Sequence, residues 1–116
     1  MKITVLGSGH GGFAMSSDLK YSGYDVVLSS IAPHNSKLKL FKSLGQIKIE
    51  GMTEKYKNSV IIPTNFIEEN TIKAIKRADI IMVNVPAFAK KHIMNLLQNL
   101  VKLDKLLYTL VVDFLL

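Results

Sequence analysis

Apolar and polar positions alternate between two periods along this chain. Lys2 to Leu6 is a short, β-branched apolar run, which predicts a buried parallel strand over residues 2–6. Residues 11–22 then take a helical spacing that turns Ala14, Met15 and Leu19 toward the strand. Gly23 ends that helix and introduces a second strand, Tyr24 to Ser29. Pro33 and Asn35 offer helix-start chemistry. Leu38, Phe41 and Leu44 line one face of the helix that follows, which ends at Gly45.

Simple alternation of strand and helix breaks next. Ile47 to Glu50 has period 2, Gly51 turns the chain, and Tyr56 to Ile62 is a second extended run stopped by Pro63. These features predict a β-hairpin near residues 46–62. Asn65, with Glu68 three residues on, has the spacing of a helix N-cap. Ile67, Thr71, Ala74, Ile75 and Ala78 share the helical face behind it. Asp79 to Val85 is another buried strand, closed by Pro86. Ile93, Leu97, Leu100 and Val101 form the stripe of a helix from about Phe88, and Leu107 to Val112 is the last strand. The order β-α-β-α-(ββ)-α-β-α-β predicts an α/β, Rossmann-type fold: a mostly parallel sheet with helices on both faces.

Against that pattern, one loop carries the chemistry. Between the first strand and the first helix stands Gly7-Ser8-Gly9-His10-Gly11-Gly12, in which Gly7, Gly9 and Gly12 fit G-x-G-x-x-G. The motif alone is weak, but here it joins a strand to a helix that leads into a second strand. Gly7 suits the tight turn and Gly9 a close approach of backbone to a pyrophosphate. Gly12 suits close packing of helix on strand. The pyrophosphate would lie on free N–H groups at the helix N-terminus, beside Phe13. A ligand-free tight turn is the plainer alternative. Ser16 supplies the small residue that the helix–strand contact needs. His10 either meets a phosphate, faces the nicotinamide side, or is an exposed loop residue.

Position 29 bears on cofactor type. A carboxylate at the end of the second strand would accept a hydrogen bond from the adenine ribose and repel a 2′-phosphate. This chain has Ser29 and Ser30 there, while Asp25 stands at the other end of the strand. With His34 and Lys37 nearby, these residues tilt the expectation slightly from NAD to NADP. Val85, Pro86, Ala87, Phe88 and Ala89 follow a parallel strand and are expected to line the nicotinamide half of the groove. The same segment also reads as a proline-started helix with Phe88 in the core.

Composition narrows the classes. The chain has 116 residues, 48% of them hydrophobic, so it makes one domain with a real core and is not disordered. Fifteen Lys and Arg against nine Asp and Glu leave a net charge of +6. The basic residues are scattered and not interleaved with aromatics, which argues against nucleic acid and agrees with a phosphate-rich ligand. There are no cysteines, so thiolate nucleophiles and cysteine-based metal sites are excluded. His34 and His92 lack partner carboxylates at metal or triad spacing, and no metal site is expected. No signal peptide is evident. The run from Leu106 to Leu116, broken by Asp113, is too short to span a bilayer. The default expectation is therefore a cytoplasmic protein with no membrane partner.

Gly7 to Met15, then Gly23-Tyr24-Asp25-Val26, resemble the start of the octopine/nopaline (opine) dehydrogenases. Ala78 to Val83 and Val85-Pro86-Ala87-Phe88-Ala89 add to the likeness. More broadly these segments resemble the N-terminal domains of glycerol-3-phosphate dehydrogenase and ketopantoate reductase. The resemblance covers roughly residues 1–105. One departure is His10, where that family's loop has asparagine. The resemblance implies an NAD(P)-binding domain of an oxidoreductase that condenses an amino acid with a 2-keto acid and reduces the product. It also implies a second, helical domain carrying the substrate pocket and the catalytic histidine. Residues 1–116 are expected to be the dinucleotide-binding domain alone, cut short before that second domain, so no catalytic residue is assigned. A stand-alone nucleotide-binding module and a non-catalytic fragment are the alternatives, and a homo-oligomer is a further possible arrangement. A methyltransferase fits the glycine spacing and Pro86 less well.

Overall fold

A computed structural model describes residues 1–7, 9–31, 36–85, 87–100 and 106–110. The elements are β1 (Ile3–Leu6), α1 (His10–Tyr21), β2 (Val26–Ser29), α2 (Ser36–Ser43), β3 (Gln46–Ile49) and β4 (Val60–Pro63). They continue with α3 (Thr71–Arg77), β5 (Ile80–Asn84), α4 (Ala87–Leu100) and β6 (Leu106–Leu110). This is the element order the apolar pattern predicts. Pro33, His34, Asn35, Val101 and Val112 lie outside the described residues.

Four strands make one parallel sheet in the order β2-β1-β5-β6, and β3 pairs with β4 in a separate antiparallel sheet. The chain lays β2 on one side of β1 and later β5 on the other. The switch point between those directions lies at the carboxyl ends of β1 and β5, where open α/β sheets take their ligands.

Period 2 along the strands divides the apolar residues between two cores. Val5, Val26 and Leu28 face α1, α2 and the hairpin, packing with Leu38, Ile62, Phe66 and Ile67. Leu6, Ile81 and Val83 face α3 and α4, packing with Ile75, Ala78, Ile93 and Leu97. The sheet is thus covered on both faces, and burial of each Leu or Ile contributes about 1.5–3 kcal/mol. Thr4 is a buried polar residue of β1, and its Oγ1 donates to the Ala74 carbonyl at 2.9 Å, so no buried hydroxyl is wasted there.

The turn from β1 into α1 rests on close backbone contact. Gly7 has φ +142°, and a Cβ on it would lie 2.0 Å from the Asn84 carbonyl oxygen. Its N–H donates to the Ser29 carbonyl at 2.9 Å, tying the turn to β2. A Cβ on Gly12 would lie 2.1 Å from the Gly7 carbonyl oxygen. Ser16 is fully buried one turn later, with its hydroxyl on the Phe13 carbonyl at 3.2 Å. The far end of α1 closes with Tyr24 N–H on Leu19 O and Gly23 N–H on Lys20 O, both 3.1 Å. That pair is a Schellman closure, and Gly23 supplies its positive φ of 93°.

Several expectations are corrected. Ala14 is exposed; Met15 and Leu19 do pack toward the sheet. Leu44 is exposed, because α2 stops at Ser43 and only Leu38 and Phe41 of that stripe turn inward. The second hairpin strand begins at Val60, and Glu54–Tyr56 form a 3-10 turn before it. That strand does stop at Pro63, which is its last residue and lies opposite Gln46. Proline is tolerated there because the position is a strand terminus. Asn65 and Glu68 do not cap a helix. Leu28 N–H donates to Phe66 O and Glu68 N–H to Leu28 O, each at 2.9 Å, so the segment around Ile67 pairs with the outer edge of β2. Satisfying an open strand edge outweighs an isolated cap. The cap falls to Asn70, whose Oδ1 accepts from Lys73 N–H at 3.1 Å.

A polar clamp fastens the hairpin connection to α1. Lys55 Nζ donates to Asp18 Oδ1 at 2.8 Å and also to Ser22, and the Tyr56 hydroxyl donates to the same carboxylate. The Tyr21 and Tyr56 rings lie 5.6 Å apart. The hydrogen bond from Lys55, and then that from Tyr56, holds the Asp18 carboxyl below its ordinary range.

Two outcomes are expected. Gly12→Ala forces a Cβ against backbone and should cost about 1–3 kcal/mol, read as a lower denaturation midpoint. A depressed Asp18 pKa adds stability above the unfolded value of about 4, and that stability is lost as pH falls through the lower folded value. Thermal melting from pH 7 to pH 2 should therefore find Asp18→Asn less stable than the parent at neutral pH, with the gap closing in acid. A gap independent of pH would disprove this role for the clamp.

Candidate functional site

At the switch point, the three glycines of the motif meet different constraints. Gly7 and Gly12 are demanded by the fold, as the backbone contacts above require. Gly9 is not: nothing lies within 4 Å of a Cβ built on it, and its φ of −77° and ψ of −178° are extended backbone that any residue adopts. It is exposed, and it stands at the N-cap of α1, where its carbonyl accepts from Phe13 N–H at 3.0 Å. The open space over Gly9 is a cradle that a side chain would fill.

That cradle faces the positive end of a helix. α1 has twelve residues, no side-chain cap and no acidic residue in its first turn. The N–H groups of His10, Gly11 and Gly12 project from that turn, where helix geometry gives them no partner. Free donors, the helix dipole and the missing Cβ together suit an anion that approaches the backbone closely. The residues present thus fit a pyrophosphate.

The other expected site residues fall in distinct places. His10 is exposed beside the cradle. Phe13 is half-buried, and its ring packs on Phe41 at 4.5 Å between centroids, so its aromatic face serves the contact of α1 with α2. Ser29 ends β2 and is completely buried; its carbonyl accepts from Gly7, and its Oγ has no partner among the described residues. The neighbouring Ser30 carbonyl accepts from the Thr71 hydroxyl, pinning the end of β2 to α3. Val85 is half-buried, with Cγ1 3.7 Å from the position of a Gly7 Cβ. Ser8 and Pro86 lie outside the described residues, as do the side chains of Ala87, Phe88 and Ala89.

Sequence reasoning missed Asn84. It ends β5, 8% exposed, with its backbone oxygen over Gly7 and its carboxamide against Gly11. A signal was present: Asn84 is the polar final residue of an otherwise apolar strand, Ile80-Ile81-Met82-Val83. Among the described residues no cluster of His, Cys, Asp and Glu can hold a metal ion, and no helix is long and apolar enough to cross a membrane.

Comparison with known proteins agrees with this arrangement. Among solved structures, glycerol-3-phosphate dehydrogenase from Coxiella burnetii matches 95% of this chain at 20% identity and a TM-score of 0.71. The 2-dehydropantoate 2-reductase from Geobacter metallireducens matches 96% at 19% identity and a TM-score of 0.69. An octopine dehydrogenase, solved with NADH and L-arginine, matches 95% at 21% identity and a TM-score of 0.74. At these identities the likeness is one of fold. The chain spans 32%, 34% and 28% of those three chains, respectively. No curated protein matches it. The family model described as the N-terminus of NAD-dependent glycerol-3-phosphate dehydrogenase matches residues 2–111. A match over nearly the whole chain, on a parallel sheet with a glycine turn at its switch point, means that this chain belongs to the NAD-dependent glycerol-3-phosphate dehydrogenase N-terminal domain family.

Proposed function

We propose that this chain binds a nicotinamide dinucleotide and forms the cofactor-holding part of an oxidoreductase. The observation that carries the reading is the space above Gly9. The fold has no need of a glycine there, and a pyrophosphate does. The first-turn N–H groups of α1 would hold the phosphates, with Ser8 and His10 beside them and Gly11, Gly12 and Phe13 continuing the turn. The end of β2 at Ser29 would approach the adenine ribose, and Val85, Pro86 and Ala87 the nicotinamide half. When bound, the nicotinamide supplies a hydride donor or acceptor; the chain's own work is to bind and orient it.

Cofactor choice turns on the end of β2. With serine in place of a carboxylate, nothing there repels a 2′-phosphate, which supports NADP as well as NAD. The Ser29 hydroxyl is sealed inside, so any grip on that phosphate falls to groups such as the exposed Lys37. The family description names NAD. Binding of both, within about tenfold of each other, is the reading we adopt.

For the reaction, the loop and the Val85–Ala89 segment support the opine type, in which an amino acid and a 2-keto acid are joined and reduced. The substrate pocket and the proton-donating residue would come from a further helical domain. A nucleotide-binding module without catalysis is the competing reading.

Titration with NADH and NADPH should give saturable binding that Gly9→Val removes while the melting temperature stays close to that of the parent. Binding by neither, or unaltered binding by Gly9→Val, would sink the proposal. Joined to a helical substrate domain of an opine dehydrogenase, the chain should oxidise NAD(P)H with an amino acid and a 2-keto acid and not with dihydroxyacetone phosphate. The reverse preference would place it with the glycerol-3-phosphate enzymes, and cofactor binding with no turnover would favour the non-catalytic module.

A further inference from the structure

Asn84 brings a carboxamide to the end of a strand built otherwise of apolar side chains. The residue as a whole is 8% exposed. A carboxamide has two N–H donors and an oxygen that accepts twice. Among the described residues the Asn84 side chain has no hydrogen-bond partner. Such a group calls for hydrogen-bond partners where it is held. Leucine or valine there would instead continue the apolar face that Met82 presents toward α1.

The location says what the carboxamide is held for. Asn84 is the last residue of β5, at the switch point, beside the free N-terminus of α1. A Cβ on Gly11 would lie 2.9 Å from Asn84 Nδ2 and 3.0 Å from Oδ1. Gly11 is not one of the three glycines of the G-x-G-x-x-G spacing. Its missing side chain leaves the place that the carboxamide occupies. The chain therefore keeps a polar group, and makes room for it, within the first turn of the anion-binding helix.

We infer that Asn84 is a cofactor-binding residue whose carboxamide hydrogen-bonds the nicotinamide-side phosphoribosyl unit of the dinucleotide, with Gly11 as the residue that lets it lie there. This rests on the dinucleotide reading above. The topology selects the half of the ligand. β2 and β5 flank β1 on opposite sides, and the adenine ribose belongs at the end of β2. What extends from the pyrophosphate toward β5 is the other ribose and its phosphate. Nδ2 donates to a phosphate or ribose oxygen there, and Oδ1 accepts from a ribose hydroxyl.

The test is a set of titrations with NADH, ADP-ribose and AMP on the parent, Asn84→Ala, Asn84→Asp and Gly11→Ala, each with a melting curve. ADP-ribose carries the second phosphoribosyl unit and AMP does not. Asn84→Ala should weaken NADH and ADP-ribose about tenfold and leave AMP unchanged, as expected for one lost hydrogen bond. The near-isosteric Asn84→Asp adds a negative charge beside the phosphates and should weaken the same two ligands further. Gly11→Ala should weaken NADH in the parent, by displacing the carboxamide, and add little in Asn84→Ala. If both Asn84 variants melt as the parent does and keep its NADH affinity, the inference is wrong. Equal weakening of all three ligands would reduce Asn84 to a structural part and also overturn it. A parent that binds none of the three overturns the dinucleotide reading itself, and this inference with it.

Discussion

Everything at the working end of this domain depends on one close approach of backbone to backbone. Gly7 passes so near the Asn84 carbonyl, and Gly12 so near the Gly7 carbonyl, that no side chain fits at either place. This contact brings the start of α1 down onto the carboxyl ends of β1 and β5. The N-terminus of the helix is then aimed at the switch point of the sheet. A helix dipole and a row of partnerless N–H groups become useful only because they are delivered there.

The rest of the fold holds that geometry. Two apolar cores, one on each face of the sheet, fix β1 between α1 and α2 on one side and α3 and α4 on the other. The hairpin of β3 and β4 forms its own small sheet and joins the first core through Ile62. Its connection is fastened to α1 at Asp18 by Lys55 and Tyr56, on the half of the helix remote from the glycine turn. The segment Phe66–Glu68 covers the outer edge of β2. That last attachment closes an edge that the sheet would otherwise present to solvent or to another chain.

Within the glycine loop, residues of one type serve different masters. Gly7 and Gly12 answer to the fold, Gly9 to space outside the chain, and Gly11 to the carboxamide of Asn84. That division separates stability from binding. A motif that is weak as a string is thus made informative by what surrounds each Cβ position.

The linear pattern of residues specified the parallel sheet, the helices on both faces, the hairpin and the place of the glycine turn. All of these follow from local signals: apolar period, turn residues and the spacing of three glycines. It did not determine which polar residues meet. Asn65 and Glu68 have the spacing of a cap, yet the unpaired edge of β2 claims their segment, because Leu28 has a donor and an acceptor to satisfy. Leu44 has the spacing of a core residue, yet α2 ends before it can turn inward. Asn84 lies more than seventy residues from Gly11 and shares no motif with it, so only the pairing of β1 with β5 brings them together. Local pattern sets which segments are strands and helices. Long-range pairing decides which groups are buried and which of them meet.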